Sequence, residues 1–185
     1  MRSLITLLLS VCLLIGRHGS AVGQDTRSTT APPKCGDRLL QAGETCTQCA
    51  ADCTAQACKP GKERAAFSVE FTPPPAPDVS TAVFRIGYRT DLLSLPGSGT
   101  DTSVQTRLTT PEHAVMAFND LDYALRIVAA RTPSLPEGLL VTIDFDRCDG
   151  ARAPTAADVS CAVEACAAST GPIDGCRCQV TAVAH

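Results

Sequence analysis

The chain has 185 residues, a net charge of −3, no tryptophan and eleven cysteines. Its acidic balance argues against nucleic acid or an anionic membrane as a partner, since both select a basic face. The length suits one compact domain with a small additional unit. Arginine far outnumbers lysine and alanine is abundant, a usage typical of GC-rich bacterial genomes.

The N-terminus has the three-part organisation of a secretory signal peptide. A basic residue precedes an apolar run over residues 4–15, which is shorter than the roughly 20 apolar residues that a membrane-spanning helix needs. Ala21 and Gly23 occupy the −3 and −1 positions of a cleavage site before Gln24. We therefore expect residues 1–23 to be removed, the protein to be secreted or at the cell surface (extracellular or periplasmic), and no membrane span to remain.

Cleavage at this site would remove Cys12 and leave ten cysteines in an oxidising compartment, where closely spaced thiols pair as disulfides. These are Cys35, Cys46, Cys49, Cys53 and Cys58 in the N-terminal part and Cys148, Cys161, Cys166, Cys176 and Cys178 near the C-terminus. A four-thiolate zinc site formed by Cys46, Cys49, Cys53 and Cys58 is the alternative, but its spacing is loose for zinc. The sequence predicts disulfides.

Each group contains an odd number of cysteines. Either one disulfide joins the two groups, or each group leaves one thiol unpaired. Cys176 and Cys178 flank a single arginine, so in a strand both side chains point to the same face and cannot bond each other without distortion. Each of these two cysteines should have its own partner.

The segment "CGDRLLQAGETCTQCAADC", residues 35–53, resembles a short Cys-rich repeat of secreted bacterial and surface proteins. The usual repeat runs Cys-Gly-Asp-Gly, one residue, Cys, then Gly-Glu-Thr-Cys, two residues, Cys, and Asp-Cys after two more. Here Arg38 replaces the second glycine, and Leu40 stands where a cysteine is expected. The missing cysteine implies a rewired disulfide, to Cys58 or into the main domain.

Two groups of polar residues have the oxygen ligands that Ca²⁺ prefers. One lies in the Cys-rich segment and consists of Asp37, Glu44 and Asp52; the other is the "NDLD" stretch with Asn119, Asp120 and Asp122. Both have simpler explanations, because small secreted knots bury little and are polar, and because Asn and Asp favour turns. Calcium is the cofactor that these patterns suggest.

The chain divides into a leader (24–34), a Cys-rich knot (35–58), a charged linker (59–66) and a β domain (67–183). From residue 67 onward, short alternating runs such as "FSVEF", "SVQTRLTT" and "GLLVTIDF" are separated by turn residues. "NDLD" suits a hairpin connection, and "ADVSCAVEACA" suits either a strand or a short helix. Seven to nine short strands predict an all-β, two-sheet sandwich.

The order of these runs over residues 67–183 resembles a cohesin-type domain. In that family a strand ends near a tyrosine, and an acidic residue and a leucine pair follow, as in Tyr88, Asp91, Leu92 and Leu93. The resemblance implies a jelly-roll-like sandwich, shared with bacterial carbohydrate-binding modules, and a non-catalytic binding role. The C-terminal cysteines and the "YRTD" spacing depart from the family.

An enzymatic site finds little support in the sequence. His113 has no nucleophile motif near it, which argues against a Ser-His-acid site. A glycosidase needs two facing carboxylates, and Glu70, Asp144 and Asp146 are the candidates, but acids on strands usually form the solvated face. We assign no catalytic residue.

Binding to an extracellular protein or to a polysaccharide therefore remains as the expected function. Sugar-binding modules stack pyranose rings on exposed aromatic side chains, and this chain offers Tyr88 and Tyr123 as a ligand face. Both tyrosines could instead pack at strand edges. The alternative function is structural, as a disulfide-stapled component of the cell surface or extracellular matrix.

Overall fold

A computed structural model describes residues 34–54, 58–111 and 115–184, with the side chain of residue 115 excepted. The expected signal peptide, nearly all of the leader and His113 lie outside these ranges. Within them, no helix has the length and apolar character needed to cross a membrane.

The described chain is built almost entirely of strands. These are β1 (Pro60–Thr72), β2 (Thr81–Tyr88), β3 (Leu93–Ser94), β4 (Leu108–Thr109), β5 (Val115–Asp120), β6 (Ala124–Ala130), β7 (Gly138–Cys148), β8 (Val159–Ala168), β9 (Gly171–Pro172) and β10 (Arg177–Ala182). Helical structure is limited to one turn, α1 (Thr102–Gln105), and to 3-10 turns at Ala50–Cys53 and Ala156–Asp158.

The strands form two antiparallel sheets, which confirms the predicted all-β class. Sheet A has the order β10-β1-β7-β3, with β4 also paired to β7. Sheet B has the order β5-β6-β2-β8-β9. "NDLD" connects β5 to β6 as expected, and Asp122 in this turn has a φ of 66°, a left-handed conformation that Asp tolerates better than most residues.

Both sheets contribute one apolar face to a shared core. Alternate residues of β1 and β7 point inward, including Phe67, Phe71 and Phe145, each 1% exposed or less. The ring of Phe71 meets that of Phe84 on β2 at 5.5 Å, and the ring of Phe145 meets that of Tyr88 at 5.0 Å. These contacts join the two sheets without any tryptophan.

Two segments differ from the secondary structure predicted from the sequence, and a third was ambiguous in the sequence. Strand β1 begins at Pro60, so most of the expected linker 59–66 is strand, because Ala66 is buried and pairs with β7. In "SVQTRLTT" only the β4 residues are extended; α1 turns instead and inserts Val104, fully buried, into the core. The ambiguous "ADVSCAVEACA" forms strand β8 from Val159 onward, after its first two residues end a 3-10 turn.

All ten cysteines of the described chain are paired. The disulfides are Cys35–Cys49, Cys46–Cys53, Cys58–Cys148, Cys161–Cys178 and Cys166–Cys176. The Cys58–Cys148 disulfide joins the two groups, which is one of the two alternatives that the odd counts left open. Cys176 and Cys178 have separate partners on β8, as their spacing predicts. The thiolates of the alternative zinc site are absent in this disulfide-bonded state.

The Cys-rich knot packs against the outer face of sheet B. Leu40 stands where the resemblance to the Cys-rich repeat would place a cysteine. It is only 2% exposed, and its carbonyl accepts a 2.7 Å hydrogen bond from Ser160 Oγ on β8. The same carbonyl lies so close to Gly87 on β2 that a Cβ there would be 2.3 Å from the oxygen. Nearby, Arg85 Nη2 donates to the carbonyls of Gln41 and Glu44, at 3.2 Å each.

Further contacts between the knot and the sheets surround the contact of Leu40 with Gly87 and Ser160. Arg38 Nη1 lies 3.2 Å from Asp91 Oδ2, and Thr90 Oγ1 donates to the carbonyl of Thr54 at 3.4 Å. The knot is therefore fixed to the sandwich by buried apolar surface, hydrogen bonds, one ion pair and one disulfide.

Gly87→Ala should loosen the knot while leaving the core unchanged. The added methyl group would overlap the Leu40 carbonyl and Ser160 Oγ, so the knot must move outward and expose Leu40. We expect a loss of roughly 2–3 kcal/mol in the free energy of unfolding, measured by urea denaturation. Val83→Ala, on the same face of β2, is the control and should cost less than about 1 kcal/mol. Equal effects of the two variants would contradict this account of Gly87.

Candidate functional site

Asp52 organises the first turn of the knot. Its side chain is 2% exposed; Oδ1 accepts hydrogen bonds from the amides of Gly36 (3.1 Å) and Arg38 (2.6 Å), and Oδ2 accepts from Gly36 (2.9 Å). Gly36 and Arg38 both have left-handed backbones, with φ of 87° and 69°. Arg38 is not a glycine, and its bond to Asp52 stabilises a conformation that L side chains rarely adopt.

The other two acids of the knot also bind its own polar groups. Asp37 accepts hydrogen bonds from the Leu39 amide (3.0 Å) and from Gln41 Nε2 (2.6 Å). Glu44 is 4% exposed, and its Oε2 accepts from the Gln41 amide at 2.8 Å. Glu44 Oε1 is buried and accepts no hydrogen bond. These bonds give the acids a role in folding the knot.

Glu44 and Asp52 also meet beside a disulfide. A carboxylate oxygen of each and the sulfurs of Cys35 and Cys49 all lie within 4.8 Å of one another. Asp37 does not belong to this group, so the structure brings together two of the three acids expected there. The two sulfurs bond to each other and therefore offer no thiolate.

The polar residues of the β5–β6 turn do not converge. Asp120 is buried, and its Oδ1 accepts hydrogen bonds from the Tyr88 hydroxyl (2.9 Å) and the Asp122 amide (3.1 Å). Asn119 is the neighbouring residue on β5, so it points to the opposite face of the strand, where it is exposed. This arrangement holds the turn against the core and places Asn119 and Asp120 on opposite faces of β5.

Burial dominates the acid–base chemistry of the Asp120–Tyr88 pair. It raises the pKa of Asp120 above its usual range, although the hydrogen bond from Tyr88 opposes the shift. Burial, together with the charge of Asp120, likewise raises the pKa of the Tyr88 hydroxyl far above its ordinary value. The hydroxyl is therefore the donor in this bond at neutral pH.

The two tyrosines do not form an open ligand face. Tyr88 is 2% exposed, so its ring packs in the core and cannot stack on a sugar. Tyr123 is half-buried, and its hydroxyl lies 3.4 Å from the sulfur of Cys46 in the knot. The alternation of Phe84, Ile86 and Tyr88 along β2 is the sequence signal that would have placed Tyr88 inside.

Sheet A presents an outer face that sequence reasoning did not single out. Four hydroxyl residues stand in register across four strands: Thr181 on β10, Ser68 on β1, Thr142 on β7 and Thr109 on β4. Ser68 Oγ and Thr142 Oγ1 are 3.3 Å apart. Beside this hydroxyl row, Gln179 Nε2 donates to Glu70 Oε2 at 2.6 Å. In "FSVEF" and "VTIDF", polar residues alternate with apolar ones, and this alternation indicates that the polar residues point outward.

An ion-pair cluster continues the same face toward the knot end of β7. Arg64 Nη1 lies 2.7 Å from Asp144 Oδ2, and Arg107 Nη2 lies 2.9 Å from Asp146 Oδ1. Two of the three carboxylates considered for glycoside hydrolysis, Asp144 and Asp146, are thus bound to arginines on a sheet face. Sheet A therefore offers hydroxyl, amide and charged groups for hydrogen bonding, without aromatic rings among them.

A cleft of about 610 Å³ lies where β1 and β7 pair irregularly beside Cys148. Its charged lining is largely engaged, because Arg147 is paired with Glu63, and Asp149 Oδ2 lies 3.3 Å from Lys59 Nζ. The cleft therefore has little free chemistry for a small ligand.

Comparisons of the chain with protein-family models, with curated proteins and with solved structures give no match in any of the three. The resemblances to a cohesin-type domain and to the Cys-rich repeat therefore stay predictions.

Asp52→Ala should disrupt the knot. The substitution removes the charged acceptor of the Gly36 and Arg38 amides, and a hydrogen bond to a charged group contributes about 1.5–3 kcal/mol. We expect a loss of about 2–5 kcal/mol in the free energy of unfolding, measured by chemical denaturation. Asp149→Ala, which removes an exposed ion pair with Lys59, should change it by less than about 1 kcal/mol. A neutral Asp52→Ala variant would contradict the role assigned to this side chain.

Asp120→Asn should stabilise the protein at neutral pH. The raised pKa of Asp120 means that the folded state holds its proton more tightly than the unfolded state, so wild-type stability falls as the pH rises through the folded pKa. Asparagine retains an acceptor for the Tyr88 hydroxyl and removes this fall. The stability difference should be small below about pH 4 and grow with pH, as thermal unfolding across a pH series would show. If the stability difference between wild type and Asp120→Asn did not change with pH, the raised pKa of Asp120 would be contradicted.

Proposed function

We propose that the protein is an exported, non-catalytic binding module that recognises an extracellular protein or a polysaccharide through the outer face of sheet A. The hydroxyl row Thr181–Ser68–Thr142–Thr109 is the observation that carries this proposal. Its side chains project from adjacent strands at regular spacing, beside Glu70 and Gln179. Such a face can donate and accept hydrogen bonds over a broad, flat surface.

The jelly-roll-like topology of cohesins and carbohydrate-binding modules is part of the same proposal. Two antiparallel sheets with a shared apolar core support it. Export is supported by five disulfides, which persist in oxidising compartments.

A protein is the favoured partner on this face. Polysaccharide recognition usually depends on exposed aromatic rings, and Tyr88, one of the two tyrosines, is buried in the core. Hydroxyl, amide and carboxylate groups can form hydrogen bonds with the polar surface of a folded protein, and a typical protein–protein interface has about ten direct hydrogen bonds. A polysaccharide remains the second candidate for the same surface.

A structural role is the alternative function. The disulfides fix the knot and β10 to the rest of the chain, which supports a covalently reinforced component of a cell surface or extracellular matrix. In this case the sheet A face would have no specific partner, and substitutions there would leave binding unaffected.

Binding should depend on the hydroxyl row. We expect Thr142→Arg to weaken retention at least tenfold, because the long charged side chain would stand in the middle of the row. The measurement is a pull-down of the mature chain, residues 24–185, with the producing organism's extracellular proteins and with insoluble polysaccharides, each in calcium and in EDTA. A captured protein or polymer is then titrated with each variant.

Ala117→Arg is the matched control, because Ala117 is exposed on β5 at the outer face of sheet B. It should leave binding unchanged. If Ala117→Arg lost binding and Thr142→Arg kept it, the binding surface would lie on sheet B. The absence of any specific partner would favour the structural role.

A further inference from the structure

Two buried acids of the knot lack a cationic partner. Glu44 and Asp52 are 4% and 2% exposed, and neither forms an ion pair with a lysine or arginine of the described residues. The nearby arginines are engaged elsewhere: Arg38 pairs with Asp91, and Arg85 donates to main-chain carbonyls. Buried charges are costly unless they are paired, so two adjacent carboxylates call for a compensating positive charge.

Glu44 and Asp52 both have carboxylate oxygens that can accept further bonds. Glu44 Oε1 is buried and without a hydrogen-bond partner, while Glu44 Oε2 already binds the Gln41 amide. Asp52 Oδ2 accepts one amide hydrogen, from Gly36, and each carboxylate oxygen can accept more than one. The acids therefore bind the backbone and still keep acceptor capacity, and one carboxylate oxygen of each lies within the 4.8 Å group.

We propose that Glu44 and Asp52 bind a divalent cation, with Ca²⁺ as the preferred ion. Carboxylate oxygens are hard ligands, and Ca²⁺ completes its coordination readily with water and main-chain oxygens. Softer metals such as zinc favour thiolate or imidazole, but the adjacent sulfurs of Cys35 and Cys49 form a disulfide, and the knot contains no histidine. Mg²⁺ demands a more regular octahedron and should bind more weakly.

A cation at this position would link the two halves of the knot. Asp52 holds the turn at Gly36 and Arg38, whereas Glu44 belongs to the segment whose carbonyls receive Arg85 from β2. Neutralising both acids at once stabilises the knot and the surface that contacts sheet B. The site would thus act on the stability of the folded chain, independently of any partner on sheet A.

The test is calcium titration of the full disulfide-intact chain, followed by calorimetry and by thermal unfolding in CaCl₂ and in EDTA. At a hundredfold excess of Ca²⁺ over Kd, we expect the Tm to rise by roughly 5–10 °C. MgCl₂ should produce a smaller rise. Absence of a binding signal and of a Tm shift with Ca²⁺ would overturn the proposal.

Glu44→Gln tests the negative charge of this side chain while nearly preserving its shape. It keeps an acceptor for the Gln41 amide but removes the anionic ligand, so the calcium-dependent rise in Tm should disappear. Asp37→Asn is the matched control, because Asp37 lies in the same knot but outside the group, and it should keep the rise. An unchanged rise in Glu44→Gln would overturn the proposal, as would loss of the rise in Asp122→Asn, which would place the site at the β5–β6 turn.

A measurement on the wild-type chain locates the site even if the variants fail to fold. Calcium should shift the NMR signals of the Gly36, Arg38 and Gln41 amides, which donate to the two carboxylates. Shifts confined to other residues would overturn the assignment.

Discussion

The Cys58–Cys148 disulfide is the constraint on which the arrangement of this chain depends. It closes a loop of 90 residues, and in the chain-entropy model such a loop contributes roughly 4–5 kcal/mol to stability. The same bond brings the end of the knot to the point where Pro60 on β1 pairs with Cys148 on β7. With this junction fixed, Leu40 lies over Gly87, and the outer face of sheet B is partly covered.

With the knot fixed on sheet B, the outer faces of the two sheets differ in what they carry. Sheet B carries the knot, whose buried acids Glu44 and Asp52 organise its backbone. Sheet A keeps a polar outer face with the hydroxyl row around Ser68 and Thr142. The core between them is made by phenylalanine and aliphatic side chains, and the disulfides reinforce it where the core alone is small. A partner on sheet A and an ion in the knot would therefore act on different parts of one molecule.

Local patterns in the sequence predict much of this fold. Alternation in "FSVEF" and "GLLVTIDF" identifies the central strands, and the spacing of Cys176 and Cys178 predicts separate disulfide partners. Features that depend on three-dimensional proximity were not accessible. Three features follow from contacts between segments far apart in the chain: the bonds of Asp52 to two distant amides, the burial of Leu40 between the knot and sheet B, and the insertion of Val104 from a helical turn.

The disulfides also determine how the molecule would respond to tension applied at its two ends. A pulling force entering at Cys58 passes directly to Cys148, then along the connection to Cys161, and leaves through Cys178. Residues 59–147 and 162–177 lie in covalently closed loops outside this path. Between Cys58 and Cys178, stretching would therefore extend only the short segment from Cys148 to Cys161, while most of both sheets lies outside the covalent path.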